Sequence, residues 1–276
     1  YTDDPTLSAV RRHPWTRMFK KKVFLYNEQD LPYDPLPGLY VSMPKRWFNE
    51  LRHRAFSYLR IMNQYISPLA TTREGEPDLL YSFVGAVRSR LRAEVMKLRK
   101  PGCWLEDTSQ LDMFNMQGPA IERAKRRYAE ILLRSKFVLC PRGAGTSSFR
   151  LYEAMEAGRV PVIISDQWVP PSGPKWESFM IRVPEARVHA IPQLISQHEP
   201  FWKQMGQAAR DAWESWFAPD VAVARLVQAL RDLDQGGRCK RPFLQGWATP
   251  MQGEILLRNA LRPMRNALRE VMRKLR

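Results

Sequence analysis

Residues 136–166 read KFVLCPRGAGTSSFRLYEAMEAGRVPVIISD, and this stretch decides the fold class. Lys136 to Cys140 is a short apolar run suited to a buried strand. Arg142 to Thr146 is small and flexible, and Ser147 or Ser148 can cap the helix that follows. Val160 to Ile164 then returns as a β-branched strand. Two such strands joined by a crossover helix lie parallel, so the stretch predicts a βαβ unit of an α/β fold.

A helix that starts directly after a glycine loop turns unpaired N–H groups and a positive dipole end toward the carboxyl end of the preceding strand, which suits an anion. Gly143 and Gly145 let the backbone approach a ligand, while Arg142 and Arg150 add forked donors that match phosphate oxygens. Glu153 would be repelled by phosphate and suits neutral ribose hydroxyls. The same pattern also serves as plain turn chemistry with a solvated Arg and Glu on one helix. Neither GxxxxGK[ST] nor GxGxxG is present, since Ser148 stands where the third glycine would be; this argues against a nucleoside triphosphatase or a dinucleotide enzyme.

Working outward, Leu79–Val84 reads as a strand, 87–98 as a helix, Cys103–Leu105 as a short strand and Pro119 as an early helix position. Upstream, Lys22–Tyr26 is the clearest strand, with Asn27, Glu28, Gln29 and Asp30 directly after it, where open α/β sheets face ligands. Residues 45–65 are compatible with a helix, and Thr71 to Glu76 forms a polar linker. Downstream, Trp168, the prolines and Trp176 make a stiff loop whose indoles suit either sugar contact or packing; Phe179–Val183 reads as a strand, with helices from about Ile191 and Phe201. The expected division is 1–75 as a partial N-terminal α/β domain, 76–235 as a Rossmann-like domain and 236–276 as a basic helical tail.

The run SKFVLCPRGAGTSSFRLYEAMEAGRVPVIISDQWVPP (135–171) resembles the signature of the exostosin glycosyltransferases. VFLYNEQD, LPGLYVSMP, DLLYSFVGAVRSRLR (78–92) and WESFMIRVPE (176–185) support it in order. The resemblance implies a GT-B-like fold, two Rossmann-like domains facing a cleft. It also implies inverting transfer from a UDP-sugar or related donor without a bound metal or other cofactor. By position, Arg142 would be the phosphate-side arginine, Arg88 a second cation and Glu153 the ribose ligand; Gly143, Gly145, Thr146, Ser147, Ser148 and Arg150 complete the donor loop. A complete enzyme of this layout would be longer, so part of the first domain is expected to be missing, processed away or reduced. Glu28 and Asp30 are candidate bases for the acceptor hydroxyl, with Asp34, His13 and His53 behind them. The DxD at Asp232 and Asp234 has no preceding apolar strand and reads as a helix terminus.

A net charge of +16 on 276 residues favours acidic ligands, yet the cations do not gather around a nucleic-acid-binding motif, and no nucleic-acid partner is expected. The odd, widely spaced set Cys103, Cys140 and Cys239 suggests reduced thiols. Residues 254–276 are basic and amphipathic, with seven Lys/Arg against two Glu. This segment suits either an anionic membrane surface or packing across the first domain. The expected location is the cytoplasm, peripheral on the inner face of a bacterial membrane, or the Golgi lumen if the chain is part of a eukaryotic protein. Three functions are consistent with the sequence: transfer of a sugar to a glycan or glycolipid, sugar-nucleotide or glycan binding without activity, and, on charge alone, nucleic-acid binding.

Overall fold

The computed structural model describes residues 12–19, 24–30, 37–59, 63–72, 74–111 and 118–235. The basic tail, Asp34 and Cys239 lie outside them. The larger of two sheets has five parallel strands: β4 (Leu79–Gly85), β5 (Cys103–Asp107), β6 (Ser135–Pro141), β7 (Val160–Ile164) and β8 (Ile181–Val183). Their spatial order is β5-β4-β6-β7-β8. Alternation along β6 fixes its two faces. Phe137 and Leu139 join the cluster that buries Leu91, Val95 and Ile191. Val138 and Cys140 join the opposite cluster, with Leu132, Leu151 and Ala209. With both faces covered, the strands read as continuous apolar runs.

The covering helices follow. Helix α3 (Arg90–Met96) lies on the first face, and α4 (Pro119–Leu133) and α5 (Phe149–Glu156) lie on the second. Pro119 opens α4 behind Gly118, which takes the positive φ of 86° that a residue with a Cβ adopts only with strain. Ser89 caps α3 by accepting the Arg92 N–H at 3.3 Å, so this helix begins three residues later than the predicted 87–98 and leaves 86–89 as a loop at the end of β4. Helices α6 (Ile191–His198), α7 (Trp202–Trp216) and α8 (Pro219–Gln235) complete the unit. The Asp232 and Asp234 pair is in the last turn of α8.

A smaller parallel sheet precedes it, with β1 (Leu25–Asn27), β2 (Gly38–Tyr40) and β3 (His53–Ala55) in that spatial order. The short helix α1 (Pro14–Met18) lies upstream. Among the described residues the helix expected over 45–65 does not form: there is a 3-10 turn at Lys45–Trp47, then β3, then chain without regular structure to 59. Asn49 explains this locally. Its side chain accepts the Leu51 N–H, its carbonyl accepts from Arg52 and His53, and its own N–H donates to His53 Nδ1 at 3.1 Å. Such side-chain and turn bonds compete with a helical ladder. Helix α2 (Ile66–Thr72) packs on α4, where Asn63 donates to the Lys125 carbonyl and Tyr65 donates to Glu122.

The two sheets meet around the 142–148 loop. Tyr58 stacks on Phe149 with ring centroids 3.6 Å apart, the Ser147 N–H approaches Ser42 Oγ, and the Lys45 N–H donates to the Gln167 carbonyl at 2.8 Å. Helix α8 returns to pack against β2 and β3. A parallel sheet with helices on both faces, joined across a loop-lined junction to a second and reduced parallel sheet, is a GT-B-like arrangement. Trp168 and Trp176 are core residues: their rings meet edge to face at 5.2 Å, and Trp176 Nε1 donates to the Pro171 carbonyl. Their burial answers the alternative of sugar contact with packing.

Candidate active site

In an open α/β sheet the crevice for a ligand lies beyond the carboxyl ends of the strands, where the strand order reverses. Here that point lies between β4 and β6, because the chain leaves β4 outward to β5 and then crosses back to β6. The loops at that crevice are 86–89 and 142–148.

A half-buried arginine that sequence reading missed ties these loops together. Arg92, from the first turn of α3, donates from Nη1 to the Ala86 carbonyl at 2.8 Å and from Nε to the Arg142 carbonyl at 3.2 Å. Its Nη2 reaches the Pro141 carbonyl at 3.5 Å and would lie 3.0 Å from a Cβ added at Gly143. Gly143 is therefore small because a guanidinium lies against it. Arg150, on α5, approaches from the other face: its Nε donates to the Val84 carbonyl at 2.7 Å, and its charged end lies 5.0 Å from the centre of the Phe83 ring. A Cβ at Gly85 would collide with Arg150 Nη2. Both guanidiniums thus flank the end of β4.

These cations repel one another. Burial first, then Arg150, with Arg88 and Arg142 further off, pushes Arg92 down to about 10, against the pull of Asp30. It is still a cation at neutral pH, and a multivalent anion would relieve the repulsion. Arg88 is exposed in the 86–89 loop, and its charge acts on Asp107.

Arg142, the expected phosphate-side arginine, is paired with a carboxylate. Its Nε and Nη2 bind both carboxylate oxygens of Glu185 at 2.7 and 2.8 Å. Glu185 in turn accepts the Asp166 N–H, and Asp166 accepts the Glu185 N–H. The Glu185 contact raises the Arg142 pKa; burial works against ionisation of Glu185, but Arg142 holds it below the ordinary carboxylate range. This network ties the ends of β6, β7 and β8, and a parallel two-bond pair of this kind is geometrically specific.

Ser148 occupies the cap position of α5, yet neither it nor Ser147 makes a side-chain cap bond. The buried hydroxyls of Thr146 and Ser148 have no hydrogen-bond partner among the described residues. Ser147 faces the phenols of Tyr58 and Tyr152, both kept protonated by burial. A Cβ at Gly145 would meet the Asp30 backbone at 2.8 Å, so this glycine lets the segment after β1 close onto the loop.

Glu153 is half-buried on α5 and accepts the Tyr128 hydroxyl at 2.6 Å on Oε2. Burial raises its pKa, Glu156 adds to the effect, and Tyr128 and Arg150 oppose it. A carboxyl that holds its proton more tightly in the folded chain contributes stability at low pH, and that contribution is lost as pH rises through the folded pKa. Glu153→Gln is therefore expected to melt above the parent protein at neutral pH, with the gap closing below the ordinary glutamate range, about pH 4. Thermal unfolding across pH measures this, and a gap that does not depend on pH contradicts it.

The candidate bases separate. Glu28 Oε1 accepts both the Tyr26 hydroxyl at 2.5 Å and the Leu59 N–H at 2.8 Å, so it fastens β1 to the segment after β3. Asp30 is exposed beside Gly145, within electrostatic reach of Arg92 and Tyr58. His53 is buried between Tyr40 and Phe48, and burial pushes it down to about 4; His13 caps α1. Among the described residues, no three His, Cys, Asp or Glu side chains gather to hold a metal ion. Likewise, no helix there is long and apolar enough to cross a membrane.

Residues 55–198, just over half of the chain, match the model of the exostosin GT47 domain. The chain belongs to the exostosin GT47 family. It is 37% identical over 108 residues to the Exostosin-1 homolog of Caenorhabditis elegans, covering 38% of this chain and 26% of that protein. It is 33% identical over 117 residues to Exostosin-1 of Bos taurus, covering 41% and 15%. The chain thus aligns with 15–26% of these relatives' length. Among solved structures it is similar to WaaG, a glycosyltransferase involved in lipopolysaccharide biosynthesis, at 13% identity and a TM-score of 0.38, covering 83% of this chain and 70% of that one. A glycosyltransferase from Rickettsia africae is similar at 9% identity and a TM-score of 0.40, covering 82% and 68%. Within this exostosin GT47 chain, the matched span holds the switch-point arginines and the 142–148 loop.

Proposed function

We propose that this exostosin GT47 chain transfers a sugar from a nucleoside diphosphate sugar, a UDP-sugar first among them, to a hydroxyl of a glycan or glycolipid, with inversion and without a metal. The observation that carries this reading is the mutually repelling set of arginines at the sheet's switch point, with Arg92 and Arg150 fixed by carbonyls on either side of β4. A diphosphate answers that charge, and Glu153 beyond it offers a carboxylate oxygen to ribose hydroxyls.

In the reaction, the acceptor oxygen bonds to the anomeric carbon from the face opposite the nucleotide, and the bond from that carbon to the diphosphate oxygen breaks. The bonding pair leaves with the diphosphate. Its growing charge meets Arg92, Arg150 and the 143–148 amides, which need little reorganisation to receive it. The acceptor proton passes to Asp30, the exposed carboxylate after β1 that lies against Gly145 of the donor loop. Arg142 braces the loop through Glu185.

Incubation of the chain with a panel of sugar nucleotides and acceptors, read by thermal shift and nucleotide release, tests the reading. Stabilisation by one nucleoside diphosphate class and acceptor-dependent release that persists in EDTA are expected. Stabilisation without release under any acceptor would instead indicate a binding protein, and a response to oligonucleotides alone would reject donor chemistry.

A further inference from the structure

The short helix α1 is inverted relative to an ordinary surface helix. Thr16, a polar residue, is 5% exposed, whereas Trp15, Met18 and Phe19 are 67%, 67% and 50% exposed. Positions 15, 18 and 19 share one helical face, so the three large apolar side chains form one outward patch. The turn is fixed: His13 Nδ1 accepts the Trp15 N–H, and the Phe19 N–H closes onto the Trp15 carbonyl at 2.8 Å. The sequence around the patch is RRHPWTRMFKKK, with Arg11, Arg12, Arg17, Lys20, Lys21 and Lys22, and no Asp or Glu occurs from Pro5 to Asn27.

Apolar exposure and local charge point to the same partner. A purely electrostatic ligand such as an acidic glycan uses the cations but gives three apolar side chains no reason to face outward. A neutral protein groove uses the apolar face but makes no use of the cations that the sequence gathers around it. A bilayer carrying anionic lipid satisfies both, because aromatic and apolar side chains settle at headgroup depth while nearby Lys and Arg meet the negative surface. We propose that α1 and its ends, residues 12–19, are a peripheral docking site for an anionic phospholipid bilayer, with Trp15, Met18 and Phe19 entering the headgroup region. In sequence this segment is distinct from the basic residues at 254–276 and from the 142–148 loop.

The test is co-sedimentation of the full chain with vesicles of phosphatidylcholine alone and with added phosphatidylserine. Wild-type protein should partition onto the anionic vesicles at least tenfold better than onto the neutral ones. The variant Trp15→Ala/Met18→Ala/Phe19→Ala keeps every charge, including those of 254–276, and should lose roughly tenfold or more of that partitioning, since burial of apolar area drives insertion. Replacing Arg11, Arg12, Lys20, Lys21 and Lys22 by Gln should weaken binding to the anionic vesicles while leaving the residual neutral binding unchanged. Unaltered partitioning of the triple alanine variant overturns the proposal, whatever the charge variant does. It is equally overturned if that variant changes only the mass in gel filtration, which would make the patch a contact between copies. All three apolar residues are exposed, so unchanged melting of the variants separates lost docking from lost folding.

Discussion

Replacing Arg92 by Met should lower donor kcat/KM by roughly a hundred- to a thousandfold, the range seen when one preorganised donor to a developing anion is removed. Two losses combine. The cation leaves the switch point, and the Ala86 and Arg142 carbonyls lose the guanidinium that bridges the 86–89 and 142–148 loops. The orphaned carbonyls should also cost stability, about 1–3 kcal/mol. Arg92→Lys separates these effects, because it keeps a charge but has no planar fork to bridge the loops. It should recover part of the donor affinity and little of the rate. Calorimetric titration with the nucleoside diphosphate, beside steady-state turnover, reads both; an Arg92→Met protein with parental turnover would remove this residue from the mechanism.

The second large effect is expected at Asp30. As the group that receives the acceptor proton, Asp30→Asn should reduce kcat by roughly a hundred- to ten-thousandfold while donor binding stays near that of the parent. The acid limb of the pH profile should disappear with it. Glu28→Gln is the control: it weakens the bond from Tyr26 and the Leu59 amide, so its cost should fall on stability. If Glu28→Gln loses turnover at unchanged melting temperature and Asp30→Asn does not, the roles are reversed.

The sequence made the central βαβ unit legible because its strands are long, apolar and buried on both faces, and β6, α5 and β7 form where the pattern requires. The small sheet was harder to read. Strands of three residues such as Gly38–Tyr40 and His53–Ala55 carry too few alternations to show a period, and the turn bonds of Asn49 and His53 are invisible without pairing partners. Arg92 escaped for a related reason. On a helix with Arg88, Arg90 and Lys97 nearby it looks like one more solvated charge, and only the return of β6 beside β4 brings the Arg142 carbonyl within its reach. The clue available was Gly143, whose missing side chain leaves room for that guanidinium. Arg142 stands out in the sequence, but its partner Glu185 follows β8, a distance no local spacing encodes.

Helix α8, which packs on β2 and β3 after the large sheet is complete, has a consequence for how the molecule is made. The strands it covers end at Ala55 and the helix begins at Pro219, so during synthesis the small sheet waits for its cover until the rest of the described chain has emerged. Contacts of such long sequence separation slow folding and leave strand edges exposed to other chains meanwhile. The first strands thus depend for their cover on the last described helix, so the two ends of the described chain are completed together.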